Sequence, residues 1–278
     1  MVAIMLPKKT KQKIINESDK KVNQLEIQCA SEIRSFFLNL EKELLNELSP
    51  TTTDNDLRHI IDTNWETYTN IIYEYQLKAH KLGVNLHQLI TKPVNKPVTK
   101  ALPIIPFTIE WEVFSYAQIS SRYVRLRYGK LVSDALIEGY ESGKGITVVT
   151  ELLQKVNNNF KNYEAHRIAR TEIQSARGRA IHEQMVDEGV EYKQWLTMQD
   201  ELVRGNKPTD NADHVSLDGL IVPVNEPFPN GLQYPGDKDG PISEWINCRC
   251  TSVPYILLPN ETGPLDKASF YENEIIRM

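Results

Sequence analysis

Cysteine is scarce in this chain, with three in 278 residues. Three thiols cannot pair completely, so a disulfide-stapled secreted fold is not expected, and a reducing, cytoplasmic place of synthesis is. Long apolar runs are also missing. None approaches the roughly 18 residues needed to span a bilayer, so no membrane segment is expected. The first residues, MVAIMLPKKTKQK, put the apolar stretch before the lysines, the reverse of a secretory signal. Excess positive charge is absent too: the formal net charge is −5, which leaves any attraction to nucleic acid to a local patch. What is present is ordinary for a globular protein, with 40% hydrophobic and 25% charged residues. The length allows two domains, or one with long extensions.

From about Lys11 to Leu48, Val22, Leu25, Cys29, Ile33, Phe36, Leu40 and Leu44 recur every three or four positions, the stripe of a long amphipathic helix. Cys29 lies on that stripe and reads as a small core residue. After SPTTTDN, a second stripe carries Leu57, Ile61, Tyr68, Ile72, Tyr75 and Ala79, with Gly83 placed to stop it. Residues 1–91 thus read as a helical hairpin or arm. Four prolines between Lys92 and Phe107 disfavour helix and read as an extended linker, 92–108. Connecting helices follow over 109–145. A helix capped by Thr147 and a longer one ending at Gly189 open a last domain, 146–258. There the period changes. EYKQWLTM has strand character centred on Trp195, HVSLDGLIVPV carries a hairpin signal at Asp218-Gly219, and NCRCTSVPYILL reads as a strand with Pro254 at an edge. Residues 259–278 read as a polar tail. The fold class is α+β: a helical N-terminal half with long amphipathic helices, then helices packed on a small antiparallel sheet.

GYESGKG, Gly139 to Gly145, fails as a phosphate loop on spacing and on the missing Ser/Thr. The run SRYVRLRYGK places Arg122, Arg125, Arg127 and Lys130 among tyrosines, which suits phosphate contact or, alternatively, a solvated face paired with acids. In HRIARTEIQSARGRA, Glu172 shares a helical face with Ala165, Ile168, Ala169, Ala176 and Ala180. A carboxylate among alanines needs a partner, which must come from elsewhere in the fold, because Arg170 lies on another face.

The stretch EWINCRC, Glu244 to Cys250, holds two of the three cysteines. On a strand, Cys248 and Cys250 face the same side with their Cα atoms about 7 Å apart. That spacing strains a disulfide but suits two thiolates on one metal. His214 is the natural third ligand for zinc, with Asp210, Asp213 and His182 as candidates for a fourth. Two buried thiols beside a polar histidine is the alternative.

Several motifs occur in order: RIARTEI with Arg167, Arg170, Thr171 and Glu172; EGVEYKQW ending at Trp195; Asp200-x-x-Val-Arg204; HVSLDG with Asp218 and Gly219; Glu226-Pro227-Phe228; Tyr234-Pro235-Gly236-Asp237; and INCRC with Asn247. This series resembles the phage Mu F-like head morphogenesis family over roughly residues 146–256. The resemblance implies a minor head protein of a tailed phage or prophage, made in the host cytoplasm and carried in the head interior of the virion. Portal, capsid or scaffold proteins would be its partners, with packaged double-stranded DNA a further one. It implies no enzyme. NKPTDNAD, inserted between the Arg204 region and His214, departs from the family pattern. From another class, a metal-dependent hydrolase or nuclease would use His214, Cys248 and Cys250 as zinc ligands and Glu172 or Asp200 as base.

Overall fold

The computed structural model describes residues 4–6, 8–91, 105–143, 146–257, 267 and 275–277. In chain order the elements are β1 (Ile4–Leu6), α1 (Lys8–Glu47), α2 (Asp54–Thr91), α3 (Phe107–Glu141) and α4 (Ile146–Asn159). A π-helical turn, Phe160–Glu164, leads into α5 (Ala165–Asp187), followed by β2 (Tyr192–Leu196), β3 (Ile221–Pro223), α6 (Ile242–Trp245), β4 (Thr251–Tyr255) and β5 (Ile275–Arg277). The class is α+β, as the residue patterns led us to expect. The apolar stripes of α1 and α2 are buried at Val22, Cys29, Ile33, Phe36, Leu40 and Leu44 and at Leu57, Ile61, Tyr68, Ile72, Tyr75 and Ala79. Of the expected linker, residues 92–104 lie outside the described residues. Of the expected tail, the described residues are Lys267 and β5, which pairs antiparallel with β1.

The chain forms two compact units drawn from non-contiguous stretches, and α1, α2 and α5 each contribute to both. One unit comprises Glu26–Gln76 and Pro106–Glu172. Its core is aromatic. Phe37 packs on Tyr128 and Phe160 with ring centroids 5.1 and 4.9 Å apart, and Trp65 lies 4.8 Å from Tyr68. Each buried polar tip in this cluster that finds a partner adds direction to the packing. The Trp65 indole donates to the Ser121 carbonyl, and the Tyr128 hydroxyl donates to Asn157 Oδ1 at 2.6 Å. Helices α3 and α4 touch at Gly139, where a Cβ would stand 2.3 Å from Val149 Cγ2.

The other unit comprises Met1–Leu25, Leu77–Ile105 and Ile173–Met278. Its centre is a three-stranded antiparallel sheet in the order β3-β2-β4, with Trp195 opposite Ser252 and Gln194 opposite both Ile221 and Val253. Strand β4 is at the edge, where Pro254 removes a donor without breaking an inner ladder. Adjacent residues of β2 enter different cores, as a pleated strand requires. Leu196 joins Ile15, Leu86, Ile90, Ile181 and Met185 from the helices, together with Val224 and Val253. Trp195 joins Leu217, Phe228, Leu232, Cys248 and Cys250 from the irregular chain between β2 and β4.

Three local expectations are corrected. Gly83 does not end α2, which runs on to Thr91; instead it lets α5 approach, since a Cβ there would meet the Arg177 carbonyl oxygen at 2.6 Å. HVSL is not a hairpin arm. It lies in turns, β3 pairs with the distant β2, and Asp218 accepts from the Thr197 backbone N–H at 2.8 Å and its hydroxyl at 3.0 Å. Strand β4 starts at Thr251, so Cys248 and Cys250 precede it. Asn247, at φ 55°, turns the chain just before them.

Candidate functional site

The site is built where β2, the turn carrying His214 and the segment leading into β4 meet. Trp195 is fixed by its strand, with its N–H donating to the Leu220 carbonyl and its carbonyl accepting from Gly219 N–H, both at 2.9 Å. Gly219 makes that bond at φ 77°, in the left-handed region that glycine adopts without steric cost. His214 is fixed by its own backbone, whose N–H donates to the Arg204 carbonyl at 2.9 Å. The Arg204 guanidinium in turn donates to the carbonyls of Ser243 and Ile246, the latter at 2.7 Å. Thus one arginine ties the histidine turn to the stretch that carries the cysteines.

The three side chains converge without the help of strand alternation. Cys248 Sγ lies 3.7 Å and Cys250 Sγ 3.5 Å from Nδ1 of His214, and the ligand atoms of all three lie within 4.8 Å of one another. All are buried, at 2%, 5% and 1% exposure, which closes them to any large substrate. The backbone N–H of Cys250 points at Cys248 Sγ, 3.4 Å away. On the far edge of the imidazole, Nε2 lies 3.1 Å from Glu244 Oε2, which also accepts from Asn230 Nδ2 at 3.1 Å. Trp195 packs edge-on against His214, with centroids 5.3 Å apart. Its buried indole N–H has no hydrogen-bond partner.

The electrostatics split the thiols. A hydrogen bond from Cys250, outweighing burial and helped by His214, holds Cys248 well below the ordinary thiol range. Burial, reinforced by the neighbouring sulfur, pushes Cys250 well above it.

The sequence-based fourth-ligand candidates are elsewhere. Asp210 accepts from the Gly205 and Lys207 N–H groups, and Asp213 accepts from Ser216 N–H. His182 stacks on Tyr234 at 5.4 Å, and burial lowers its pKa to about 4. Among the described residues the group of possible ligands stops at His214, Cys248 and Cys250. Reading the chain alone missed Glu244, although it lies in the same seven residues as the cysteines. Also missed was Lys193, wholly buried, donating to the Val224 carbonyl and Gln233 Oε1 and lowered to about 8 by burial.

The other motif residues have structural partners. Asp200 takes a two-pronged ion pair from Arg249, the residue between the cysteines, with one contact at 2.7 Å. That bond, ahead of other causes, lowers the Asp200 carboxyl. In the aromatic-cored unit, Arg167 reaches Glu164 at 2.6 Å, Arg170 pairs with Glu26 at 3.0 Å, and the Thr171 hydroxyl donates to the Arg167 carbonyl at 2.7 Å. Glu172 accepts from Gln76 Nε2 at 2.6 Å, so its partner does come from another helix. In the basic run, Arg125 lies 3.4 Å from Asp62, Arg127 grips both oxygens of Glu164 at 3.0 Å, and Lys130 pairs with Asp134 at 2.6 Å. Arg122 is exposed.

Fold and site together define a class: a helix-covered three-stranded module whose irregular face is pinned around a buried His/Cys cluster. Residues 130–253 match the family model described as Phage Mu protein F like protein, so this part of the chain is similar to that family. The match bears out the resemblance drawn from the motif series. The chain is also similar to a Bacillus subtilis (strain 168) protein named "Uncharacterized protein YqbB", 28% identical over 166 residues. That alignment covers 55% of this chain and 52% of the relative, so the chain spans about half of that protein's length. No solved structure shows a significant match. No helix among the described residues is long and apolar enough to cross a membrane.

Proposed function

We propose that this protein is a minor head protein of a tailed phage or prophage, acting in head morphogenesis through contacts with portal, capsid or scaffold proteins. The observation that carries the reading is the family match over residues 130–253, the stretch that contains the whole His/Cys cluster. Its place would be the virion head, after synthesis in the host cytoplasm.

In this reading the chain is not an enzyme. Burial of His214, Cys248 and Cys250 supports that role, because a catalytic zinc keeps a coordination position open to substrate. The two candidate bases are otherwise engaged, Asp200 with Arg249 and Glu172 with Gln76. Contact with packaged DNA would fall to the exposed Arg122 and to the outer parts of Arg125, Arg127 and Lys130, whose acidic partners already offset much of their charge.

Mass spectrometry of purified virions and procapsids from the encoding phage or induced prophage tests the reading. The chain is expected in at least one of them at low copy number, and absence from both overturns it. Incubating metal-loaded protein with DNA and RNA, with and without chelator, tests the enzymatic alternative; chelator-sensitive cleavage would overturn the non-enzymatic role.

A further inference from the structure

We propose that Cys248 Sγ, Cys250 Sγ and His214 Nδ1 bind one zinc-type divalent cation that fastens the irregular face of the module to its sheet. Three observations carry this. The first is distance. Zn–S bonds of about 2.3 Å and a Zn–N bond of about 2.05 Å at a tetrahedral angle place each sulfur about 3.6 Å from the nitrogen. The observed separations are 3.7 and 3.5 Å. One imidazole lone pair accepts one proton, so hydrogen bonding accounts for one of these approaches and a shared cation accounts for both.

The second is the tautomer. Glu244 is an acceptor beside Nε2, so Nε2 carries the ring proton and the Nδ1 lone pair faces the sulfurs. A carboxylate behind a ligating histidine orients the ring and raises its basicity. The Cys250 backbone N–H, 3.4 Å from the Cys248 sulfur, supplies matching support for a thiolate.

The third is charge. Two thiolates alone would put two negative charges in a site that is almost wholly buried, which is costly. Uptake of a divalent ion releases the thiol protons to solvent, and the ion, two thiolates and neutral imidazole then sum to zero. The described residues supply three ligands.

The experiment uses the full chain, purified under reducing conditions and equilibrated with zinc. Elemental analysis should find one metal per chain in the wild type and in Cys29→Ser, whose thiol lies in the other unit, and a loss of at least tenfold in Cys248→Ser and Cys250→Ser. Chelation should lower the wild-type melting temperature, because metal binding is linked to folding. Should the site variants fail to fold, Co(II) titration of the metal-free wild type decides: stoichiometric sulfur-to-cobalt charge-transfer absorption with tetrahedral ligand-field bands supports the site. Equal metal in wild type and Cys248→Ser overturns the proposal, as does the absence of those bands or recovery of metal-free protein with a Cys248–Cys250 disulfide.

Discussion

Glu244 Oε2 stands 3.1 Å from His214 Nε2, on the edge of the ring opposite both cysteine sulfurs. The carboxylate thereby sets which imidazole nitrogen faces Cys248 and Cys250. Truncation in Glu244→Ala leaves the buried Nε2–H without its acceptor, and an unsatisfied buried polar group costs about 1–3 kcal/mol. Denaturant unfolding should show the midpoint fall with an unchanged slope.

At Gly83 two effects oppose each other. Helix propensity alone would make Gly83→Ala a gain of about 1 kcal/mol. A Cβ there, however, meets the Arg177 carbonyl oxygen at 2.6 Å and Ala180 Cβ at 2.9 Å. The first is backbone and cannot swing away, so overpacking of about 1–3 kcal/mol should win and the variant should melt lower than the wild type.

Glu164 is buried among charges. Burial raises its carboxyl, but the Arg127 hydrogen bonds and the nearby Arg167 together outweigh that and leave it below the usual range. A depressed carboxylate contributes stability that is present above its unfolded value, about 4.3, and is lost as pH falls through the lower folded value. Glu164→Gln should therefore lose about 2 kcal/mol at neutral pH, the range for a hydrogen bond to a charged group. The difference from the wild type should shrink in melts below pH 4.

His80 and His182 are each lowered to about 4, by burial first and then by Arg179 and Lys193 respectively. Neither Nδ1 has a hydrogen-bond partner. Between about 4 and the ordinary value near 6.5 the unfolded chain binds protons that the folded one refuses, so stability should fall as pH drops through that window. Replacing either imidazole by glutamine should flatten the slope between pH 6.5 and 4, measured as unfolding free energy against pH.

Much of this fold was legible in the chain because its signals are local. The stripes of α1 and α2 follow from apolar spacing, β2 and β4 from β-branched and aromatic runs, and the stop of α5 from Gly189, which sits at φ 67°. The cysteine pair and its histidine were legible as residue types suited to one ion. Glu244 was not, since an acid four residues before a cysteine has no meaning until a turn brings His214 against it.

Residue order alone determined the helices, the strands and the set of thiol and imidazole groups, because periodicity and side-chain chemistry need only neighbours along the chain. Only the tertiary structure decided that Gly83 is a point of close approach and not a stop, that β3 pairs with β2 across a long connection, and that Cys248 and Cys250 converge through the turn at Asn247. Those outcomes depend on contacts between residues far apart in sequence, where sterics and buried hydrogen bonds, and not local propensity, select the conformation.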